Sequence, residues 1–131
     1  MTARELVIQI TQNRVPVYRD TIAFCKGGGF YHWDTGRESS EFVCLGRDDA
    51  SDGQWLAIAC HEAFHALRHL QGVQFYTKKA DELTIRDWAI EELEVNRSAR
   101  SYLLPLLDED DRWYAERTFN DIDKEYGALV Q

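Results

Sequence analysis

Ala59-Cys60-His61-Glu62-Ala63-Phe64-His65-Ala66-Leu67-Arg68-His69 is the stretch that decides how the chain is read, because everything turns on whether it is a helix. On a helix, two histidines four residues apart sit about 5–6 Å from each other on one face, close enough to grip one metal ion. Glu62 is then turned beside them, where it can take a proton from water held at that metal. On a strand the histidines would still align, but Glu62 would point away.

The flanks favour a helix. Ser51 and Gln54 fit an N-terminal capping box, Gly72 suits the position just past a C-terminus, and no proline interrupts residues 52–71. At about 100° per residue, Leu56, Ala59, Cys60, Ala63, Ala66, Leu67 and Leu70 form one broad apolar arc. His61, Glu62, His65 and His69 fall on a separate arc. Cys60 belongs to the packing face and reads as core. Several rival chemistries drop out. His61 and His69 are about 12 Å apart along the axis, too far to share an ion. Arg68 follows His65 with no glycine break of the metzincin kind. A di-iron bundle would need a second Glu-x-x-His, which the chain lacks. A zinc hydrolase remains.

A chain of 131 residues makes one domain (1–131), large enough to bury a core without staples. Its hydrophobic fraction of 44% and charged fraction of 29% are those of a soluble globular protein. The net charge of −8, with scattered Lys and Arg, argues against nucleic acid as a direct ligand. No apolar run approaches a membrane span, and the N-terminus has no signal-peptide core. Cys25, Cys44 and Cys60 show no paired spacing, so reduced thiols and a cytoplasmic location are expected.

The N-terminal third reads as a small antiparallel sheet of hairpins. Leu6, Ile8 and Ile10 alternate as in a strand, although Glu5 to Gln12 carries no helix breaker and a short helix competes closely. Val15 to Tyr18 and Thr21 to Cys25 are β-rich, with Pro16 marking an edge or a strand start. Gly27-Gly28-Gly29 turns into Phe30-Tyr31-His32-Trp33, Asp34-Thr35-Gly36 turns again, and Glu41 to Leu45 is a further strand. Thr84 with Asp87 caps a second helix that Pro105 stops near Leu104, and Asp108 with Asp111 caps a third that Gly127 ends. Strands followed by helices make an α+β fold.

A metal held by two histidines needs a third protein ligand and an open position for water. His32 is available, but it reads first as a partly exposed strand histidine. On the second helix, Glu91 and Glu94 lie at the edge of the face bearing Trp88, Val95, Ala99, Tyr102 and Leu103, while Glu92 falls within it. Helical geometry alone leaves all three open.

Residues 59–69 resemble the Ala-His-Glu-Leu-x-His-Ala-Leu-Leu-His region of ImmA/IrrE-type metallopeptidases, with Cys60 intervening. Glu94-Val-Asn-Arg-Ser-Ala-Arg-Ser-Tyr-Leu-Leu-Pro105 resembles that family's Glu-Ala-Asn-x-Phe-Ala-Ala-x-Leu-Leu-Met-Pro block, with Ser98 where phenylalanine is usual. The approach from Leu45 to Trp55 is also similar, so the resemblance covers roughly residues 42–105. It implies a zincin-like arrangement, with the N-terminal sheet packed on the site helix, a glutamate-bearing helix and a C-terminal helix. It implies zinc held by His61, His65 and Glu94, with Glu62 as the general base, in a minimal stand-alone gluzincin.

The expected activity is that of a cytoplasmic zinc endopeptidase on a protein or peptide, which the resemblance suggests is a transcriptional regulator in a stress or mobile-element circuit. The strand at Glu41 to Leu45 is the expected edge for an extended substrate. Tyr102, Tyr114 and His32 are the candidate donors to a developing oxyanion. The competing reading is a zinc-stabilised, non-catalytic protein-binding module of a phage or plasmid. Glu62 weighs against it, since a structural site has no use for a general base.

Overall fold

The computed structural model describes residues 1–35 and 40–130, and in it the histidine segment is helical. Four α-helices, α1 (Ala3–Thr11), α2 (Gly53–Leu70), α3 (Ile85–Leu103) and α4 (Glu109–Gly127), accompany three short strands, β1 (Val17–Arg19), β2 (Gly29–His32) and β3 (Phe42–Leu45). The architecture is α+β. No helix among the described residues is long and apolar enough to cross a membrane.

The central element is α2, which packs against α1, α3, α4, β2 and β3. Its N-cap is Asp52, whose side chain accepts the Trp55 N–H, rather than the Ser51 that the sequence suggested. Aspartate is as good an N-cap as serine, and the one-residue shift leaves the face assignment intact. Gly72 takes the left-handed conformation (φ 84°) just past the helix, as expected. At the other end, the Gly53 N–H bonds Asp111 Oδ1, and a Cβ on Gly53 would collide with the Asp111 backbone carbonyl. Glycine there is what lets α2 and α4 meet.

Residues 4–11 form a helix, not the strand that alternation suggested. Thr2 and Glu5 make a complete capping box, and Ala3, Leu6, Val7 and Ile10 bury one helical face. The apparent alternation came from Ile8, which sits beside that face and packs partly against the core.

The sheet departs from the hairpin expectation. Its order is β1-β3-β2, with β1 parallel to β3 and only β2 antiparallel to it. Consecutive strands β1 and β2 therefore do not pair, because β3 inserts between them. The residues from Thr21 to Lys26 make a 3-10 turn, started by the Asp20 side chain on the Ile22 N–H, that carries the chain past the gap. Gly28 follows with φ 100°, where a Cβ would press on Ile58 and Trp55 of α2. The Gly27–Gly29 run thus brings β2 down onto the site helix. The expected turn at Asp34–Gly36 runs into residues 36–39, which lie outside the described residues.

The helices of the second half follow their caps. Thr84 and Asp87 complete a capping box on α3, and Asp108 accepts from the Asp111 N–H to start α4. Their apolar faces join α1 and the sheet in one core, in which Phe119, Leu103, Val43, Leu45 and Leu6 are fully enclosed.

Candidate metal centre

α2 presents His61 and His65 one turn apart, their rings 4.9 Å from centroid to centroid, and both are 4% exposed. α3 crosses beside them and supplies Glu92. One Glu92 oxygen, Oε2, lies 2.6 Å from His61 Nε2 and 3.1 Å from His65 Nε2. Among the described residues, His61, His65 and Glu92 form a group whose ligand atoms all lie within 4.8 Å of one another.

Glu94, expected as the third ligand, is elsewhere. Two residues further along α3 is a rotation of about 200°, which carries its carboxylate to the outer side. There it pairs with Arg97, and its side chain is 40% exposed. Glu91 is buried but engaged: Arg68 holds it through Nε and Nη2 at 2.6 and 2.8 Å. The structure therefore brings Glu92 to the histidines and leaves Glu94 and Glu91 away from them.

The surroundings fix the protons on both rings. The Asn96 amide nitrogen donates to the Phe119 carbonyl (2.9 Å) and to Asp123 Oδ1 (2.7 Å), and Asp123 is held by Arg100. Asn96 Oδ1 must then be what faces His61 Nδ1 at 3.2 Å, so that nitrogen carries the hydrogen. On the other ring, the Tyr76 hydroxyl donates its single hydrogen to Glu91 Oε2 at 2.8 Å. It can only accept from His65 Nδ1, also at 2.8 Å. Each histidine is thus backed by a chain ending in an arginine, and in its neutral form each turns an Nε2 lone pair toward Glu92.

Two imidazole lone pairs and a carboxylate aimed at one point repel unless a cation sits among them. Two neutral histidines and one carboxylate are also the donor set that suits a divalent metal with an open coordination position. The residues fit a metal ion. Without one, a proton does the work less well. Burial would lower the His65 pKa, but the Glu92 charge and hydrogen bond, with Glu62 and Glu91 behind, raise it above the ordinary value. Burial would raise Glu92, but His65 and the hydrogen bonds from both histidines hold it far below the usual carboxylate range.

The backing chains make a prediction. Asn96→Ala and Tyr76→Phe should each weaken divalent-metal affinity by about 10–100-fold, the usual cost of losing an outer-shell partner. Competition against a metallochromic chelator measures it, and unchanged affinity in both variants would show that the ring orientations do not depend on these bonds.

Glu62 stands next to the cluster without joining it, half-buried and lining a cavity of about 670 Å³ together with His61, His65 and Glu92. Burial raises its pKa, the two histidines pull it down, Glu92 pushes it up again, and a hydrogen bond from the Tyr31 backbone lowers it. His69 is separate, as its spacing required, with Nδ1 2.7 Å from the Tyr31 hydroxyl. His32 is exposed, stacks on Phe42 at 4.8 Å and lines the cavity outside the ligand group. Cys60 packs in the core, 3.5 Å from the Ala99 carbonyl, and all three cysteines are unpaired.

Of the expected oxyanion donors, Tyr102 is taken by Gln9 on the α1 side and Tyr114 is exposed beside Trp113. Tyr126, near the end of α4, lines the cavity instead. Burial, then the negative fields of Glu92, Glu125 and Glu62, push its phenol pKa up and keep it protonated. The sequence hinted at some of these residues. Asn96 is one helical turn beyond Glu92 on the same face, while Tyr76 sits in a connector with no periodicity to place it.

Comparison with protein-family models, with curated proteins and with solved structures gave no match.

Proposed function

We propose that the chain is a zinc-dependent peptidase acting on a protein or peptide. The observation that carries this reading is Glu62: a half-buried carboxylate lining an open cavity beside a three-ligand cluster, without being one of the ligands. A closed structural zinc site would fill all four positions with protein groups and would leave such a residue idle.

His61 Nε2, His65 Nε2 and Glu92 would hold the zinc. Bound there, it supplies Lewis acidity, polarising a peptide carbonyl and making water acidic enough to ionise near pH 7. Glu62 accepts the proton of the attacking water on its carboxylate and delivers it to the leaving amine. Tyr126, protonated and lining the same cavity, is the residue that would donate its hydroxyl to the carbonyl oxygen as negative charge develops.

The strand that would receive the substrate is β2, not the Glu41–Leu45 segment expected from the sequence. β3 is the middle strand, paired on both sides, and has no free edge. Among the described residues β2 is an edge strand, and its residues Gly29 to His32 line the cavity. The Gly28 carbonyl accepts from the Gly46 N–H, which sets the ladder phase so that Phe30 and His32 bond β3. The backbone groups of Gly29 and Tyr31 then face away from β3, and their carbonyls are placed to accept from an added peptide strand.

The test is metal content together with cleavage. Protein purified without chelator should carry zinc in a one-to-one ratio, and its cleavage of unfolded casein should stop with a chelator and return with zinc. Protein that neither contains zinc nor takes it up would end this reading.

A further inference from the structure

The cavity does not stop at the cluster. At the C-terminal end of β2 it adjoins a second hollow of about 410 Å³ whose walls include Trp33, Ala80, Leu83 and Trp88, with Lys78 and Asp34 also lining it. Tyr31, His32, Trp33 and Trp88 line both spaces, so the second hollow lies beside the cluster cavity at the end of β2.

The wall of the second hollow is apolar and braced. Trp33 and Trp88 lie 5.6 Å apart, and Phe75 packs behind both, at 5.8 and 4.9 Å. Tyr76, whose hydroxyl backs His65, lies 5.0 Å from Trp33. The wall that would touch a substrate side chain is thus built on the residues that orient a metal-site histidine. Trp33, Leu83 and Trp88 are all only partly buried, so the apolar wall is open to a ligand.

We propose that this hollow is the specificity subsite of the same centre, taking one large apolar side chain, aromatic or branched, from a peptide whose backbone runs along β2. The proposal rests on the peptidase reading and names its substrate class. A small side chain would leave the indoles wet, and a carboxylate would lose its water beside the Asp34 carboxylate and an apolar wall, against the one lysine, Lys78, in the lining. An added hydroxyl is poorly rejected by an apolar pocket, so tyrosine should be accepted nearly as well as phenylalanine.

The test needs no known substrate. Zinc-loaded protein is titrated calorimetrically with acetohydroxamate, 4-methylpentanohydroxamate and 3-phenylpropanohydroxamate, which share the zinc-binding group and differ in the apolar part. The two larger probes should bind roughly tenfold or more tighter than acetohydroxamate, the discrimination that burying a few apolar carbons provides. Trp88→Ala and Leu83→Asp should each erase that gain and leave acetohydroxamate binding unchanged. Leu83 lies outside the helices, so its variant keeps the test informative if Trp88→Ala fails to fold. Equal binding of all three probes, or a gain that survives both substitutions, overturns the subsite. Failure of acetohydroxamate itself to bind is a different result: it removes the metal centre, and the subsite with it.

Discussion

Glu92→Gln should lose zinc while Glu94→Gln keeps it. Among the described residues, Glu92 is the carboxylate that joins the two histidines in a ligand group, with Oε2 2.6 and 3.1 Å from their Nε2 atoms, and an amide is a far weaker zinc ligand. The loss of affinity should exceed the roughly 10–100-fold that removing an outer partner costs. Glu94→Gln gives up a surface pair with Arg97, worth about 0.5 kcal/mol at most, and touches nothing at the centre. The metal-free Glu92→Gln protein should fold normally, because the glutamine NH2 can donate to the histidine lone pairs that the carboxylate crowds. Metal titration of both variants, with a thermal melt of each apo form, separates a lost ligand from a lost fold. Zinc lost in Glu94→Gln and kept in Glu92→Gln would restore the register suggested by the family resemblance.

That register shows where the sequence was legible and where it was not. Periodicity placed Glu92 inside the stripe of Trp88, Val95, Ala99 and Leu103, and a carboxylate on a packing face must find a partner there. The partner is the histidine pair on α2. Matching the Glu-x-Asn block instead moved the choice two residues on, to a side chain that helical rotation turns outward. The α2 stripe, its caps and the separation of His69 from the pair could be read directly, because i, i+4 geometry is local. The backing chains could not. Tyr76 lies in a short 3-10 turn, and Asp123 reaches Asn96 from α4, so both depend on tertiary packing that no single window contains.

The sheet failed for a related reason. Strand propensity at Val17, Phe30 and Val43 was real, but pairing order is a long-range property, and hairpin logic assumes that neighbours in sequence pair. Inserting β3 between β1 and β2 reversed one pairing and moved the free edge from the Glu41–Leu45 segment to β2. That single change of topology relocates the expected substrate strand to the one that lines the same cavity as Glu62.

Glu62→Gln should abolish cleavage and leave the centre loaded. Glu62 lines the cavity but is not part of the ligand group, so zinc content should stay close to that of the wild type. Glutamine keeps the size of the side chain, so the packing of α2 against β2 should be unchanged. What it cannot do is hold the proton of the attacking water, a contribution of about 10²–10⁴-fold to rate. Stability should change little, because glutamine has nearly the same size and Glu62 is not one of the metal ligands. A purely structural Glu62 would give the opposite pattern, with a lowered thermal midpoint and any partner binding unchanged. The readouts are zinc per chain, the thermal midpoint and the initial rate of chelator-sensitive casein cleavage, taken on the same preparation. Chelator-sensitive cleavage that proceeds at the wild-type rate in Glu62→Gln would remove Glu62 from the mechanism even if the zinc remained in place.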